Sequence, residues 1–266
     1  MPEGDTVHLA ADRLDAALGG KMITRSDLRV PRFATSDLSG QCVLEVVARG
    51  KHLLFRTDEG MTLHTHFKME GTWHIYRAGQ GWRGPAHQVR AILEADPVIA
   101  VGFRLGICEL LPTSEEDRVV GHLGPDPLAD DWDPEIALAG LLKDPSRSVG
   151  DVLLDQTVLA GPGNIYRCET LFLAGLHPKT PVSEVDRPGD LVALVAKLMG
   201  ANRKTGMQIT TGDARPGQTH WVYGRHRDAC RRCGTAVART PSTPGADRVT
   251  YWCPNCQPDK VGEARG

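Results

Sequence analysis

Two Cys-x-x-Cys pairs near the carboxyl end constrain this chain more than any other feature. Cys230 and Cys233 form one pair, Cys253 and Cys256 form the other, and nineteen residues separate the two pairs. Each pair lets two thiolates approach one ion from a tight turn, and two such turns at the ends of a hairpin complete a tetrahedral zinc site. A four-thiolate site has no open position for water. We therefore expect one structural zinc ion, which contributes on the order of 10 kcal/mol to a module of this size.

Two disulfides are the alternative use of these four residues. We expect no secretory signal, and the total of seven cysteines would leave a thiol unpaired, so zinc is the better interpretation. The other three cysteines, Cys42, Cys108 and Cys168, stand in apolar segments and are predicted to be buried core thiols.

The rest of the chain divides into a β-rich part and an α-rich part. Residues 41–103 contain six short runs in which β-branched and apolar residues alternate with polar ones, a pattern typical of an antiparallel sandwich or barrel. Residues 5–18 repeat apolar residues at helical spacing and predict one helix packed on the sheet. Residues 121–134 are rich in Gly, Pro and Asp, which indicates a linker.

Helical periodicity follows the linker. Residues 201–222 have few apolar side chains and are predicted to be a loop, and a compact module begins near Tyr223. The four predicted helices span residues 134–142, 148–159, 165–173 and 190–199.

Basic charge is concentrated at the carboxyl end. Residues 201–266 hold 11 Lys and Arg against 5 Asp and Glu, although the whole chain has a formal net charge of −2. A surface for a polyanion and an ordinary solvated basic face are equally consistent with this charge. Most of it comes from Arg203, Lys204, Arg225, Arg227, Arg231 and Arg232.

A glycine-rich turn at residues 161–164 leads into a predicted helix at Asn164. Unpaired backbone N–H groups and the positive end of the helix dipole could hold a phosphate there. The alternative is that Asn164 is an ordinary N-cap.

The chain starts MetProGluGly. An initiator Met before Pro is normally removed, which would give Pro2 a free secondary amine beside Glu3. Such an amine can attack the anomeric carbon of a sugar, and the resulting iminium is an electron sink that acidifies the neighbouring carbon. A carboxylate would then manage protons during elimination of the phosphate. Acidic residues also interrupt this segment, so we expect neither a signal peptide nor a membrane span.

Five motifs, taken in order, resemble one family. They are MetProGluGly at the start, GlyLys at 50–51, GlyProGlyAsnIleTyrArgCysGluThrLeuPhe at 161–172, ValTyrGlyArg at 222–225 and the cysteine hairpin that ends ArgValThrTyrTrpCysProAsnCysGln. Together, over residues 2–257, they resemble the formamidopyrimidine-DNA glycosylase and endonuclease VIII family of bacterial base-excision repair enzymes.

The resemblance implies a role for each matching residue. Pro2 would be the Schiff-base nucleophile and Glu3 the acid/base that helps to open the sugar and displace the base. Lys51 would assist β-elimination, and Arg248 on the finger would bind phosphate and take part in δ-elimination. Asn164, in the helix-two-turns-helix element, would grip the DNA backbone, and the family places these groups in a cleft between domains.

Two further segments match loops that act when the damaged base leaves the duplex. In the segment 66–71, Met69 would be an apolar wedge and Lys68 a DNA contact. In the segment 102–106, Arg104 would bind phosphate, and Leu105 or Phe103 would be a second wedge. The paired arginines and Phe of the guanine-lesion branch are absent. A lesion-capping loop would lie at 205–218.

The implied fold is α+β and multidomain. It comprises an N-terminal antiparallel β-sandwich with a helix (2–120), a linker (121–134), a helix-two-turns-helix domain (135–222), a zinc-ribbon β-hairpin (223–258) and a tail (259–266). The expected protein is a cytoplasmic, nucleoid-associated monomer that holds one structural zinc, binds damaged double- or single-stranded DNA and makes no membrane contact.

The expected activity is removal of oxidised pyrimidines with cleavage of the abasic site by β,δ-elimination. The GlyLysHisLeuLeu motif and the TyrTrpCysPro finger favour endonuclease VIII, whereas ValTyrGlyArg is closer to the other branch. One alternative is therefore an 8-oxoguanine or formamidopyrimidine glycosylase. Another is a zinc-ribbon DNA-binding protein with weak catalysis, suggested by Thr6, where most family members have Glu.

Overall fold

The computed structural model describes residues 2–240 and 248–259, and the chain separates into two compact units, Met1–His122 and Leu123–Gly266. Met1 and the predicted tail beyond Asp259 lie outside the described residues.

The first unit contains two antiparallel four-stranded sheets. One sheet has the order β1-β6-β7-β5 and the other the order β2-β3-β4-β8. The strands are β1 (Arg25–Leu28), β2 (Val43–Arg49), β3 (His52–Thr57), β4 (Met61–His66), β5 (Thr72–Arg77), β6 (Val89–Ala95), β7 (Val98–Phe103) and β8 (Ile107–Pro112). The predicted sandwich is confirmed, and β1 and β8 are strands that the alternation pattern did not predict.

Helix α1 (Gly4–Leu18) packs against β2 and β3 and confirms the predicted N-terminal helix. Its residues Val7, Leu14 and Leu18 are buried in one core with side chains from both sheets, including Leu53 and Leu93. A short helix α2 (Asp117–Val120) ends this unit. The sheets and α1 thus share a single apolar core, as amphipathic strands and a helix require.

Four further α-helices lie in the described part of the second unit, α3 (Pro134–Leu142), α4 (Val149–Val152), α5 (Asn164–Ala174) and α6 (Pro188–Asn202). Asp133 caps the start of helix α3, and its carboxylate accepts hydrogen bonds from the amides of Glu135 and Ile136. Helix α5 ends at Gly175, which has a left-handed φ of 71°. Tyr166, Leu171 and side chains from the other helices form the helical core.

The predicted helix over residues 148–159 is wrong beyond Val152, because α4 stops there. Asp155 accepts hydrogen bonds from the amide and hydroxyl groups of Thr157 (3.0 and 2.6 Å), and this local turn competes with helical bonding. The segment 121–134, expected to be a linker, includes three buried residues, Gly124, Asp126 and Leu128, and Leu128 belongs to the helical core.

The carboxyl-terminal module is a short hairpin of β9 (Ala238–Arg239) and β10 (Tyr251–Trp252). Cys230, Val237 and Cys253 pack with Cys168 and Phe172 of α5 in a third apolar cluster. We call the residues 223–258 the finger. Its core is therefore completed by a helix that also belongs to the helical core. Among the described residues, no helix is both long and apolar enough to cross a membrane.

Two glycines beside Val158 give a matched test of this packing. A Cβ on Gly124 would lie 2.6 Å from the carbonyl group of Val158, whereas a Cβ on Gly140, inside α3, would meet a Val158 methyl at 3.5 Å. We expect Gly140→Ala to raise the free energy of unfolding by about 0.5–1 kcal/mol, because alanine favours the helix. Gly124→Ala should lower it by about 1 kcal/mol or more, because the backbone must move.

Urea unfolding of both variants measures the two effects. Equal effects of the same sign would contradict this description of the packing around Val158.

Candidate active site and metal centre

Pro2 and Glu3 lie at the start of α1. Pro2 is half-buried, and Glu3 occupies the N-cap position with its side chain fully withdrawn from solvent. The Glu3 carbonyl accepts the amides of Thr6 (3.0 Å) and Val7 (3.1 Å), which begins the helix. A buried carboxyl group beside the first residues of a helix lies in the field of the positive end of its dipole. Removal of Met1 would place the free amine of Pro2 directly beside this carboxyl group.

Lys51 lies in the turn between β2 and β3 and not in a strand. Gly50 makes this turn possible with a φ of 58°, and Lys51 is half-buried. The lysine therefore belongs to the same unit as Pro2 and Glu3.

The two predicted DNA loops of the first unit touch each other. The amide of Gly106 donates to the carbonyl of His66 (2.9 Å), and a Cβ on Gly106 would lie 2.7 Å from the Cβ of Lys68. Lys68 and Arg104 both have left-handed backbones, with φ of 52° and 48°. The structure thus brings Lys68, Met69 and Arg104 onto one pair of loops, and 63% of the Met69 surface is exposed.

The second predicted wedge is wrong. Phe103 and Leu105 are only 4% and 6% exposed and pack into apolar clusters of the first unit, so neither side chain can enter a duplex from this position. Arg104 lies 3.9 Å from the carboxylate of Glu70, and both side chains are largely exposed. Such a surface pair contributes little and leaves the guanidinium accessible to a phosphate.

A polar chain that the motifs did not predict runs across the second sheet. Glu109 lies 2.8 Å from Nδ1 of His64, and Nε2 of His64 lies 2.8 Å from Nδ1 of His52. A carboxylate accepts only, so His64 donates to Glu109 and accepts from His52 when both rings are neutral. His66 lies against the His52 ring, with centroids 4.9 Å apart. This series of hydrogen-bonded side chains therefore begins at His52, next to Lys51. His66 extends it to the segment 66–71, which contains Lys68.

Asn164 is the first residue of α5, and Gly163 is the N-cap, so the N-cap alternative for Asn164 is wrong. The Asn164 side chain donates to the carbonyl of Val249 (2.8 Å). Arg167, one turn later, is 2% exposed and donates to the carbonyl of Arg248 (3.0 Å) and the hydroxyl of Thr250 (2.6 Å). The start of α5 therefore fixes the backbone around Arg248, whose own side chain is exposed.

Glu169, on the same helix, binds the segment before the finger. Its carboxylate is fully buried and accepts the amides of Trp221 (2.7 Å), Val222 (2.9 Å) and Tyr223 (2.8 Å), and it also accepts the hydroxyl of Thr210. Charge-assisted bonds of this number hold a loop firmly.

Some of the arginines counted in the basic segment hold the protein together and are not free for a polyanion. Arg225 donates to the carbonyls of Trp221 (2.8 Å) and Ala229 (2.9 Å). Arg232 lies over the ring of Phe172, 4.5 Å from its centroid. A uniformly solvated basic face is therefore wrong for these two residues.

The four paired cysteines form the one group of candidate metal ligands found in the described part of the chain. Their sulfur atoms all lie within 4.8 Å of one another, with 4.0 Å between Cys230 and Cys256 and 3.5 Å between Cys233 and Cys253. These distances exceed the disulfide bond length of about 2.05 Å. The four sulfur atoms fit a metal site.

The other cysteines have a different environment. Burial raises the pKa of Cys108 to about 12 and that of Cys168 to about 11, so both stay protonated at neutral pH. Cys42 is only half-buried, which corrects its predicted place in the core.

The histidine chain predicts a pH dependence of stability. Desolvation by burial lowers the pKa of His52 to about 3, with further lowering by His66, His64, His122 and Lys68. Burial also lowers the pKa of His64, although Glu109 and Glu116 oppose the shift. In the unfolded chain both rings have a pKa of about 6.5. Below that pH the unfolded state binds more protons, so the free energy of unfolding falls as the pH falls towards 3.

We expect His52→Asn to reduce this slope, by less than about 1.4 kcal/mol per pH unit. Urea unfolding at several pH values between about 4 and 8 measures it. His74→Asn, at an exposed position on β5, is the control and should keep the slope of the unmodified chain. An unchanged slope in His52→Asn would contradict a neutral, buried His52.

The chain matches two family domains. The N-terminal domain of formamidopyrimidine-DNA glycosylase matches residues 1–104, and the H2TH domain of the same enzyme matches residues 123–201.

Full-length relatives support the same assignment. A probable endonuclease 8 2 of Streptomyces coelicolor is 52% identical over 97% of this chain and 94% of its own length. A protein of Mycolicibacterium smegmatis named DNA-(apurinic or apyrimidinic site) lyase Nei2 is 46% identical over 97% of this chain and 99% of its own length.

Among solved structures, a Lactococcus lactis formamidopyrimidine-DNA glycosylase, bound non-covalently to DNA that contains an abasic site, superposes with a TM-score of 0.79. It is 24% identical, over 97% of this chain and 100% of that chain, and so supports the fold. From the matching domains and relatives, the chain belongs to the formamidopyrimidine-DNA glycosylase and endonuclease VIII family and resembles endonuclease VIII most among the relatives named here.

Proposed function

We propose that this protein is a base-excision repair DNA glycosylase with abasic-site lyase activity, and that Pro2 is its nucleophile. The observation that carries the proposal is the pair of Pro2 and the fully buried Glu3 at the start of α1, in a chain 52% identical to a probable endonuclease 8. An amine and a carboxyl group at adjacent positions supply both partners that Schiff-base chemistry requires.

The reaction begins on the damaged nucleotide. Glu3 donates a proton as the sugar opens, and the Pro2 nitrogen forms a bond to C1′ while the bond from C1′ to the base breaks. Proline carries two carbon substituents on nitrogen, so the adduct is an iminium that keeps its positive charge. O4′ keeps the proton from Glu3, and the damaged base leaves with the proton that the Pro2 nitrogen gives up on becoming the iminium.

Two eliminations then cleave the strand. Loss of a proton from C2′ moves its electron pair towards the iminium, and the bond from C3′ to the phosphate oxygen breaks. A second proton loss, at C4′, expels the phosphate at C5′. Lys51 and Arg248 stabilise the phosphates that leave, because a cation near a developing negative charge lowers the barrier. Lys68 and Arg104 contact the DNA, and Met69 fills the space left by the extruded base. Asn164 contributes by holding the backbone beside Arg248, because its side-chain amide donates to the carbonyl of Val249.

Oxidised pyrimidines are the proposed substrates. Endonuclease 8 2 proteins match at 46–52% identity, whereas an endonuclease 8 1 of Mycobacterium tuberculosis and a formamidopyrimidine-DNA glycosylase of Gluconobacter oxydans both match at 34%, over 97% and 88% of the chain. Removal of 8-oxoguanine or formamidopyrimidines is the second candidate, and its basis is the weaker match to that glycosylase.

Borohydride trapping tests the nucleophile. We expect a covalent adduct on oligonucleotides that contain dihydrouracil, thymine glycol or an abasic site, because reduction fixes the iminium. Pro2→Gly should lose the adduct. Glu3→Gln should keep trapping at a preformed abasic site and slow base removal by about 100-fold or more.

The order of lesions distinguishes the two substrate classes, with dihydrouracil ahead of 8-oxoguanine expected. Mass spectrometry must first show that Met1 is absent from the protein used. No adduct on any oligonucleotide would favour the DNA-binding alternative, and an equal adduct in Pro2→Gly would exclude Pro2 as the nucleophile.

We also propose that the four thiolates of the finger hold one zinc ion. Four sulfurs at the Zn–S distance of about 2.3 Å lie about 3.8 Å apart in a tetrahedron. The sulfur separations of 3.5 and 4.0 Å support this geometry. When bound, the ion would hold the two turns of the finger together, and it would have no role in bond cleavage because no ligand position is open.

Metal analysis should give about one zinc per chain. Cys253→Ser should lose the ion and weaken DNA binding, because the turn that follows the Arg248 segment is then held from one side only, by the start of α5. Cys108→Ser is the control, since that thiol is buried in the first unit, and its zinc content should not change. No zinc in the unmodified chain would contradict the assignment.

A further inference from the structure

The segment 207–221, between α6 and the finger, forms an ordered loop without helix or strand. We call it the T-loop for its three threonines, Thr210, Thr211 and Thr219. Its two arms meet where the amide of Thr210 donates to the carbonyl of Thr219 (2.9 Å) and the hydroxyl of Thr211 donates to the carbonyl of Gln218 (2.6 Å). The arms therefore form one closed unit that can be positioned from outside.

Different residues hold different parts of the T-loop. Asn202, at the end of α6, binds the first arm by accepting the amide of Ile209 (2.7 Å) and donating to its carbonyl (2.8 Å). Glu169 binds the last residue of the loop through the amide of Trp221. These contacts hold the T-loop at Ile209 and at Trp221. The second arm, which contains Gly217, Gln218 and His220, is held by a third residue.

Arg231 is that third residue. Its Nε donates to the carbonyl of His220 (2.9 Å), one terminal nitrogen donates to the carbonyl of Gly217 (2.5 Å), and the other donates to the side-chain oxygen of Gln218. The planar fork of a guanidinium matches three acceptors spread along an arm, a geometry that a lysine cannot reproduce.

Arg231 stands between two predicted metal ligands, Cys230 and Cys233. Two backbone hydrogen bonds close the turn that carries Arg231. The amide of Cys230 donates to the carbonyl of Thr235 (2.8 Å), and the amide of Gly234 donates to the carbonyl of Cys230 (2.9 Å). Two thiolates of this turn must point at one ion, so a bound metal fixes the backbone from which Arg231 projects.

The adjacent Arg232 faces a different part of the unit. Its guanidinium covers the ring of Phe172 on α5. The turn therefore carries two arginines of the same charge, of which Arg231 binds the T-loop and Arg232 binds the helix.

The tip of the T-loop is chemically suited to a polar heterocycle more than to phosphate. Its one arginine, Arg215, is paired with Asp213 at 2.6 Å, and that pairing lowers the pKa of Asp213 to about 2. The charges at the tip cancel, whereas hydroxyl, amide and backbone groups remain along the arms. Met207 adds an apolar side chain that is 53% exposed.

We propose that Arg231 is a positioning residue that makes the shape of the T-loop, and with it the removal of damaged bases, depend on the metal centre. The inference rests on the proposed function and on the expectation, implied by the family resemblance, that a loop at 205–218 covers the lesion. An abasic site has no base to cover. Loss of Arg231 should therefore slow base removal and spare cleavage of a preformed abasic site.

The experiment compares Arg231→Leu with Arg232→Leu, both as full chains of measured zinc content. Single-turnover rates are taken on one duplex with dihydrouracil and on one with an abasic site. We expect Arg231→Leu to slow base removal by about tenfold or more, since at least one charged hydrogen bond is lost. Cleavage of the abasic site should stay within about twofold, and Arg232→Leu should change neither rate by more than that.

Hydrogen exchange supplies a readout that does not depend on activity. Peptides from the T-loop should exchange faster in Arg231→Leu than in Arg232→Leu. Removal of zinc by a chelator should speed their exchange in the unmodified chain and add little in Arg231→Leu. If Arg231→Leu fails to fold, Arg231→Lys replaces it: this variant keeps the charge without the fork and should show the same faster T-loop exchange and slower base removal.

Equal losses of both activities in Arg231→Leu, or no change in either, would overturn the inference. So would T-loop exchange that does not respond to zinc. Inactivity of the unmodified chain on both duplexes would instead contradict the proposed function, and the exchange comparison would still decide whether Arg231 connects the loop to the metal.

Discussion

The arrangement of the second unit depends on the buried carboxylate of Glu169. An ionised group far from water is strongly unfavourable unless donors surround it, and here three successive amides and a hydroxyl do so. The same contacts satisfy the amides of an irregular segment that has no sheet or helix partner. Replacing Glu169 would leave these donors unpaired as well, so the helix, the T-loop and the entry to the finger are held by one group.

Much of the fold could be predicted because apolar periodicity is a local property of the chain. Six of the strands and helix α1 follow from alternation or from spacing of three to four residues. Strand β1 was missed because its sequence, RSDL, has little apolar character, and it forms a strand by pairing with β6. Helix α4 was predicted to be too long because side-chain bonds from Asp155 are invisible to periodicity.

The residues of the candidate site likewise include some that a local motif predicts and others that only the folded structure reveals. The spacing of the two Cys-x-x-Cys pairs was sufficient to predict the cysteine cluster, whereas Pro2, Glu3 and Lys51 stay predictions that rest on short motifs of the family. Charge counting failed for Arg225 and Arg232, because a sum over residues cannot distinguish a solvated guanidinium from one that binds the protein. The chain of His52, His64 and Glu109 depends on the register of three strands. The one sequence signal was the alternation of His64 and His66 on neighbouring positions of one strand face.

Helix α5 has almost no free surface. Asn164–Phe172 are all buried, with Tyr166 and Leu171 in the helical core and Cys168 and Phe172 in the finger cluster. A change of side-chain volume on this helix therefore disturbs the packing of one of the two cores, and a rotation of the helix disturbs the packing of both. The finger cannot be replaced by a module from another protein without also changing α5, because α5 supplies Cys168 and Phe172 to the apolar core of the finger.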